Sequence, residues 1–347
     1  MTRIAKMQSM LTQYDALIIE DHIDLFYFTQ MTCSAGRLIL GKKDVIFLTD
    51  GRYLTHAKTQ LSCSVKEISW QATELALQEM QATKVAFDGA KMSFDREQEL
   101  CAALTSYSCS SWSFATKLVR AYKETEEIAA LQKSATLLWQ GYMHILAILQ
   151  EGMTEKEVAK AFHLFCLAQG AEALSFSPII AFGDHSALPH HRASQRTLKR
   201  DDIVLIDIGV VVDGYASDMT RVIFFGNKDP YLASLLKIVQ EAELAALSLC
   251  KPGVSCAILD QAARTVFRQY DVESHFVHSL GHGVGLEVHE YPRIRSQGED
   301  AHVLLEPGMV ITIEPGLYIP GIGGARYEDT IVVTKDGYCN FFPSSIL

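Results

Sequence analysis

The pattern of hydrophobic positions along the chain predicts antiparallel β-hairpins in its carboxyl-terminal part. An apolar, largely β-branched run over 203–212 leads into Asp213-Gly214, a dipeptide typical of a two-residue hairpin turn, and 215–225 continues as the return strand. A second pair of apolar segments, 309–316 and 326–333, flanks a glycine-rich link. We therefore expect two hairpins in this region.

Two aspartates lie inside the first predicted hairpin. The turn sets a register in which Asp218 faces Gly209, and Asp207 lies two residues along from Gly209 on the same face of the sheet. Burying an unpaired carboxylate in an apolar run is costly, or it shifts the pKa of the group until it is protonated. Two carboxylates side by side in such a place therefore indicate bound cations.

The second predicted hairpin repeats this arrangement with glutamates. Glu314 and Glu328 each lie at one end of a predicted strand, and between the hairpins His282 is surrounded by glycines, which allow the backbone a close approach. Four carboxylates and one imidazole form an oxygen-rich donor set, which favours Mn²⁺, Co²⁺ or Zn²⁺ over copper or a thiolate-bound zinc. Taken singly, these residues have ordinary explanations as turn, cap or strand-end residues. Their joint placement would need several coincidences, so we expect a metal site.

The amino-terminal third shows short strands alternating with helices, as expected for an α/β domain. The predicted elements are strands at 16–20, 37–40, 44–49 and 85–88, a helix from about Tyr53 and a helix over 94–104. Residues 111–121 are expected to form a linker.

Four longer helices are predicted after the linker. They cover 123–150, 155–170, 230–250 and 255–270. The second begins with Thr154 as its N-cap and Glu157 three residues on, which is a capping box. Helices combined with antiparallel hairpins make an α+β domain. We therefore expect two domains, at residues 1–115 and 116–347.

Composition supports this division and excludes some partners. At 347 residues the chain is too long for one ordinary hydrophobic core, and 48% hydrophobic residues indicate a folded globule. The formal net charge of −10 argues against nucleic acid or an anionic membrane as a partner.

The cysteines and the amino terminus bear on the cellular compartment. Eight cysteines occur singly, without a CxxC pair, which favours reduced thiols over a disulfide framework or a zinc ribbon. The first residues lack the apolar stretch of a signal peptide, and no segment approaches the roughly 18 apolar residues of a membrane helix. We therefore expect a soluble, cytoplasmic protein.

The candidate residues lie in four longer motifs. These are Asp207-x-Gly-x4-Gly-Tyr-x2-Asp218-x-Thr-Arg221, His278-x3-His282-Gly-x-Gly-x3-His289-Glu290, Glu306-Pro-Gly-Met-x4-Glu314-Pro-Gly-x-Tyr318 and Arg326-x-Glu328-Asp329. Together they resemble the signature of the pita-bread metallopeptidases, and within these the proline-specific branch of aminopeptidase P and prolidase (Xaa-Pro dipeptidase). The resemblance runs from about Leu118 to Val333.

The amino-terminal domain resembles the same family more weakly. Thr49-Asp50-x-Arg52-Tyr53 is similar to one segment of the family's amino-terminal domain, and 26–29 is similar to another, with Gln30 where glycine is usual. The resemblance thus implies a pita-bread catalytic domain preceded by a smaller, creatinase-like α/β domain.

The resemblance also implies two divalent metal ions per chain, with Mn²⁺ expected and Co²⁺ or Zn²⁺ possible. Asp207 would hold one ion, and His282 and Glu314 would hold the other. Asp218 and Glu328 would bridge both ions, and Glu314 would be the general base for a water that the two ions share.

Further catalytic roles follow from the same resemblance. His190 and His289 would face the substrate and transfer protons or stabilise an oxyanion, whereas His191 would be only a surface neighbour of His190. Arg326, two residues before Glu328 on the same strand face, would orient a ligand carboxylate or reach the substrate.

Three residues match substrate-binding positions of the family: His278, Arg293 and Tyr318. Arg293 lies where prolidases often carry a residue that binds the carboxylate of the dipeptide. An ordinary surface arginine is the simpler explanation of this residue.

The resemblance implies an exopeptidase that cleaves the Xaa-Pro bond of short peptides with proline at the second position, and a homodimer. We expect the aminopeptidase P type, since one loop arginine is little evidence for a dedicated dipeptidase; prolidase is the alternative. A methionine aminopeptidase would share the ligands but would normally lack the amino-terminal domain. A metal-free relative, either a creatinase-type enzyme or a binding module, would have lost ligands that are all present here, and measuring bound metal would identify it.

Overall fold

The chain divides into two compact units, with the boundary between Val119 and Arg120. The computed structural model describes residues 2–343. The boundary predicted after residue 115 lies four residues earlier in the chain. The segment expected to be a linker is not extended throughout, because it includes the short helix Lys117–Ala121.

The amino-terminal unit is an α/β domain, and its four predicted strands are present within one residue of their expected ends. Four helices and two strands of the described residues were not predicted, because they are short and have no clear hydrophobic period. Its elements are α1 (Arg3–Met10), β1 (Ala16–Ile19), α2 (His22–Thr29), β2 (Gly36–Gly41), β3 (Val45–Thr49), α3 (Gly51–Gln60), β4 (Ser64–Glu67), α4 (Trp70–Glu79), β5 (Lys84–Phe87), α5 (Phe94–Ala103), β6 (Ser108–Ser111) and α6 (Lys117–Ala121), which spans the boundary.

One six-stranded sheet forms the centre of this unit, in the order β4-β3-β2-β1-β5-β6. Strand β2 is antiparallel to β1 and to β3, whereas β4, β5 and β6 pair in parallel with their neighbours. The predicted α/β class of this unit is confirmed.

The carboxyl-terminal unit combines four long helices with antiparallel sheets, which confirms the predicted α+β class. Its helices are α7 (Thr125–Ile148), α8 (Glu155–Ala168), α9 (Pro230–Leu247) and α10 (Cys256–Gln269). Its strands are β7 (Ala173–Leu174), β8 (Ile179–Phe182), β9 (Ile203–Ile208), β10 (Val210–Val212), β11 (Tyr215–Ala216), β12 (Met219–Phe224), β13 (Gly281–Gly283), β14 (Glu290–Ile294), β15 (Val310–Ile313), β16 (Gly316–Ile319), β17 (Gly323–Arg326), β18 (Asp329–Val333) and β19 (Tyr338–Asn340).

The start of α8 is fixed by the predicted capping box. The backbone N–H of Glu157 donates to Oγ1 of Thr154 at 3.1 Å, and the backbone N–H of Thr154 donates to Oε2 of Glu157 at 2.7 Å. Between residues 2 and 343, the structure contains no helix that is both long enough and apolar enough to cross a bilayer.

The first hairpin forms in the predicted register. Strand β12 pairs with β9 so that Thr220 lies directly opposite Asp207. At the turn, Asp213 and Gly214 have φ angles of 51° and 77°. Both values are in the left-handed region that a type I′ turn requires, which is why this dipeptide sets the register.

Both hairpins are present, but each is interrupted, which the sequence did not predict. Strands β9 and β12 share one sheet and β10 and β11 another, and the change falls at Gly209, where a Cβ would overlap the carbonyl of Ser217. In the second hairpin the β15–β18 pair gives way to β16–β17 at Glu314-Pro315. Proline has no N–H to donate to the ladder. The candidate acids lie at or beside these two interruptions.

Two pairs of helices cover the sheets. Side chains of α7 and α8 pack in one hydrophobic cluster with Ile206 and Val310, and those of α9 and α10 pack in a second cluster with Ile311 and Ile331. Val310 and Ile311 are consecutive residues of β15, so their side chains point to opposite faces of the sheet. Since Val310 packs with α7 and α8 and Ile311 packs with α9 and α10, one helix pair lies on each face of this sheet. The interruptions therefore lie inside a core that is apolar on both faces.

Candidate metal centre

Four acids and one histidine come together where the two hairpins meet. A backbone bridge between Thr220 and Glu328 joins the hairpins. Nε2 of His282 lies 3.3 Å from Oε1 of Glu314 and 3.7 Å from Oδ2 of Asp218. Ligand atoms of Asp218, His282 and Glu328 all lie within 4.8 Å of one another.

The remaining acid, Asp207, is held by an arginine. Its Oδ2 accepts a hydrogen bond from Nη2 of Arg326 at 2.5 Å. Its Oδ1 is buried and accepts no hydrogen bond from any residue between 2 and 343. A buried carboxylate oxygen without a donor is costly, and a cation would supply the missing partner.

Burial and mutual repulsion raise the pKa values of three of the acids. Burial is the largest cause for each, and the charges of the neighbouring carboxylates add to it. The pKa of Glu328 is raised to about 8, and those of Asp218 and Glu314 are raised well above their ordinary values. A divalent cation would offset both causes and allow all three groups to ionise.

His282 presents an unprotonated nitrogen to these acids. Its Nδ1 lies 3.0 Å from the carbonyl oxygen of Gly283 and therefore donates to it. Burial lowers the pKa of His282 to about 3, so the ring is neutral and Nε2 carries a lone pair. A lone pair facing carboxylate oxygens is repulsive unless a proton or a cation lies between them. Metal-ligating histidines have this same orientation, and the donor set fits divalent metal ions.

The glycines around His282 serve strand packing. A Cβ on Gly281 would overlap the carbonyl of Thr312, and one on Gly283 would overlap the carbonyl of Tyr291. Strand β13 lies between β14 and β15 in the sheet. The close approach expected from the sequence is therefore to these neighbouring strands, and it brings His282 to the acids.

His278 and Tyr318 form a hydrogen-bonded chain with Arg326. The hydroxyl of Tyr318 accepts from Nη1 of Arg326 at 2.6 Å and lies 2.9 Å from Nε2 of His278. Nδ1 of His278 donates to the carbonyl of Ser279 at 2.8 Å, so Nε2 accepts the tyrosine proton. Burial lowers the pKa of His278 to about 4 and raises that of Tyr318 to about 12. The chain holds the guanidinium of Arg326 against Asp207.

His289 and Arg293 lie beside the candidate ligand His282. The rings of His289 and His282 are nearly perpendicular, with centroids 4.4 Å apart. Arg293 is the cross-strand partner of His282, so both side chains project from one face of the sheet. After burial, the charge of Arg293 contributes to the lowered pKa of both histidines. His190 is exposed, and its charge contributes to the lowered pKa of His278 and His289.

His191 is not the surface neighbour that the sequence suggested, and this expectation was wrong. Its side chain is only 7% exposed, and its Nε2 lies 2.8 Å from Oε2 of Glu155. The physical reason is the burial of Glu155, since a buried carboxylate requires donors and the imidazole supplies one.

Two threonines support the acids and were not singled out from the sequence. Oγ1 of Thr220 donates to Oε2 of Glu328 at 2.7 Å and accepts from Nε of Arg326 at 3.1 Å. Oγ1 of Thr312 accepts from the backbone N–H of His282 at 3.1 Å. A signal was available, because each threonine lies two residues from a candidate acid on the same strand face.

Comparison with known proteins agrees with this fold and donor set. Residues 129–335 match the model of metallopeptidase family M24, and residues 3–122 match the Creatinase/Prolidase N-terminal domain. The chain belongs to metallopeptidase family M24 and is a hydrolase of that family. The resemblance to its proline-specific, pita-bread branch is confirmed.

Three relatives illustrate the similarity. The Xaa-Pro dipeptidase of Pyrococcus furiosus is 42% identical over 221 residues, which span 64% of this chain and 63% of that protein. The structure of an Xaa-Pro dipeptidase from Bacillus anthracis matches with a TM-score of 0.95 at 30% identity, covering 99% of this chain and 98% of the other. That of an X-Pro aminopeptidase from Thermotoga maritima matches with a TM-score of 0.90 at 29% identity, covering 98% and 99%.

Stabilisation by metal is expected to increase between pH 6.5 and 8. In the metal-free protein, the folded state keeps a proton on Glu328, whose pKa is about 8, whereas the unfolded chain has released it. The folded state binds more protons in this window, so its stability falls as the pH rises. Bound cations replace these protons. Melting temperatures of the chelator-treated and Mn²⁺-loaded protein at pH 6.5, 7.2 and 8.0 measure the effect; a difference that shrinks with pH would contradict it.

Proposed function

We propose that this protein is a dinuclear-metal exopeptidase that hydrolyses the Xaa-Pro bond of short peptides, with Xaa-Pro dipeptides as its preferred substrates. The observation that carries the proposal is a donor set of four carboxylates and one imidazole, all buried except the partly exposed Glu314. A cationic side chain, Arg293, lies directly across the strand pair from the imidazole.

Five residues would hold the two ions: Asp207, Asp218, His282, Glu314 and Glu328. The oxygen-rich set suits Mn²⁺, and Co²⁺ and Zn²⁺ also fit it. When bound, two divalent cations supply a water of lowered pKa and electrophilic stabilisation of the scissile carbonyl oxygen. Arg326 keeps Asp207 in place from the opposite side, because its Nη2 donates to Oδ2 and leaves Oδ1 free for a cation.

Different residues at the site would accept and donate the protons of the reaction. Glu314 accepts a proton from the attacking water, since a carboxylate at hydrogen-bond distance from such a water is a suitable general base. His289 and His190 are donors outside the ligand set, and they would donate to the carbonyl oxygen and to the leaving nitrogen of proline. His278 and Tyr318 act behind them by holding Arg326.

The position of Arg293 favours a dipeptidase function over an aminopeptidase P function. The sequence alone favoured aminopeptidase P, since one loop arginine is little evidence for a dedicated dipeptidase. The residue lies opposite His282, is exposed, and lies close enough for its charge to act on His282 and His289. A guanidinium beside the reacting centre can form a charge-assisted pair with the free carboxylate of a two-residue substrate.

Three further functions are less well supported. Aminopeptidase P remains the second candidate, because a solved X-Pro aminopeptidase has nearly the same fold over the whole chain. A methionine aminopeptidase is disfavoured by the Creatinase/Prolidase N-terminal domain. A metal-free binding protein is disfavoured by the lone pair of His282 and by Oδ1 of Asp207, which has no hydrogen-bond partner among residues 2–343.

The homodimer expected from the resemblance is also part of the proposal. Sedimentation velocity would test it, because a dimer has twice the mass of the 38.5 kDa chain.

The Arg293→Ala variant is expected to lose activity towards Xaa-Pro dipeptides while sparing longer peptides. A charge-assisted hydrogen bond contributes about 1.5–3 kcal/mol, which corresponds to roughly a 10- to 150-fold loss in kcat/KM. The measurement is kcat/KM for Ala-Pro and for a longer peptide that begins with Ala-Pro, with Mn²⁺ added.

Arg268→Ala, which removes an exposed arginine from α10, is the charge-matched control and should leave both values unchanged. A wild-type preference for the longer peptide that persists in Arg293→Ala would favour aminopeptidase P. Absence of Xaa-Pro cleavage, with or without Mn²⁺, would refute the proposed function.

The His289→Ala variant is expected to keep its metal but lose turnover. His289 contacts His282 through its ring and lies outside the five candidate ligands. Removing a positioned proton donor or oxyanion group lowers kcat by about 10²–10⁴-fold. Metal content by mass spectrometry and kcat on Ala-Pro check both parts. Loss of a metal ion from this variant would show that His289 is a ligand.

A further inference from the structure

A buried glutamate outside the metal centre, Glu155, accepts hydrogen bonds from several residues of one loop. Glu155, the first residue of α8, is fully buried and accepts five hydrogen bonds. Oε1 accepts from the backbone N–H of Phe182 at 3.0 Å and lies 2.9 Å from Nδ1 of His185. Oε2 accepts from the backbone N–H and hydroxyl of Ser194 at 2.8 and 2.7 Å and lies 2.8 Å from Nε2 of His191.

These hydrogen bonds keep Glu155 ionised. Burial alone would raise its pKa, but the donors, led by the backbone N–H of Phe182 and by His191 and Ser194, outweigh burial and lower the pKa of Glu155. Two imidazoles and one carboxylate also have the composition of a zinc site. The nitrogen–oxygen separations of 2.8 and 2.9 Å, however, are those of direct hydrogen bonds, and the carboxylate oxygens are already occupied by donors.

The segment that is hydrogen-bonded to Glu155 includes His190. Residues 183–191, here named the His190 loop, leave strand β8 and form a short 3-10 helix at Gly183–Ala187. The loop is also held by contacts other than those with Glu155, because Oγ of Ser186 accepts from the backbone N–H of Gly324 at 2.8 Å. The carbonyl of Pro189 accepts from Nη1 of Arg326 at 3.3 Å.

His190 thus lies between two anchored neighbours. Pro189 is tied to Arg326, which also holds Asp207, and His191 is tied to Glu155. The side chain of His190 is exposed between them. Because both adjacent residues are fixed, the backbone of His190 has little freedom to move away from the metal centre.

We propose that Glu155 and His191 are positioning residues that hold His190 at the active site. The catalytic part rests on the proposed function, in which His190 is a proton donor. Neither residue needs to touch the substrate, because both act through the placement of His190. Residues that act only through a third residue lose their effect when that residue is removed.

A double-mutant cycle tests this coupling. His191→Ala in the wild type should lower kcat on Ala-Pro by about 10–100-fold, the scale expected when a catalytic group is displaced by about an ångström. In a His190→Ala background the same change should cost less than about twofold. His191→Gln, which keeps a donor at a similar distance, should recover most of the activity. Equal losses in both backgrounds, or no loss in the wild type, would overturn the proposal.

Hydrogen exchange measured by mass spectrometry tests the anchoring without any substrate. Peptides covering 183–195 should exchange faster in His191→Ala than in the wild type, with little change elsewhere. His163→Ala, an exposed histidine on the same helix α8, is the control and should change neither exchange nor activity. If the protein cleaved no Xaa-Pro bond, the proposed function would be refuted. The exchange measurement would still show whether His191 anchors the His190 loop, because it needs no substrate.

Two results would overturn the anchoring itself. Unchanged exchange over 183–195 in His191→Ala would show that Glu155 does not hold the loop through this histidine. If the wild type bound one Zn²⁺ more per chain than His191→Ala, the side chains of Glu155, His185 and His191 would hold a metal ion instead of hydrogen-bonding to one another.

Discussion

The structure depends on burying like charges at one point of an apolar core. Asp207, Asp218, Glu314 and Glu328 lie at or next to interruptions of two hairpins, and the helices on either side exclude water from the sheets. Such a cluster is unfavourable unless protons or cations neutralise it. The raised pKa values of three of these acids express that cost, and metal binding would remove it. Without metal, the raised pKa values keep protons on these acids, and Arg326 pairs with Asp207.

Arg326 links the parts of this site. Its three nitrogens contact Asp207, Thr220, Tyr318 and the carbonyl of Pro189. One guanidinium therefore reaches a candidate ligand, the hydroxyl that supports Glu328, and the loop that carries His190. The planar fork of arginine suits such a role, and lysine, with a single nitrogen, could not form all of these contacts.

Local rules predicted a large part of the fold, and long-range contacts decided the rest. The Asp213-Gly214 turn set the register of the first hairpin because both residues adopt the left-handed conformation, so the facing of Asp207 and Thr220 followed from counting residues. The capping box of α8 was equally local.

The interruptions at Gly209 and Pro315 were missed, since they depend on how one strand approaches another. The four acids were predicted as ligands because acids in apolar strands are anomalous, and His282 was predicted because glycines surround it. By contrast, the contact of Glu155 with His191 crosses 36 residues of sequence and becomes visible only when α8 and the His190 loop are packed together.

Whether the buried acids hold two ions together is tested most directly by the metal content of Asp218→Ala beside that of the wild type. Both proteins would be loaded with Mn²⁺, passed through a desalting column and measured by mass spectrometry, with Ala-Pro hydrolysis followed in parallel. A carboxylate that bridges two ions contributes to holding both. We expect two Mn²⁺ ions per chain in the wild type, and loss of both bound metal and turnover in the variant. A variant that retains two ions and near-normal turnover would contradict this expectation.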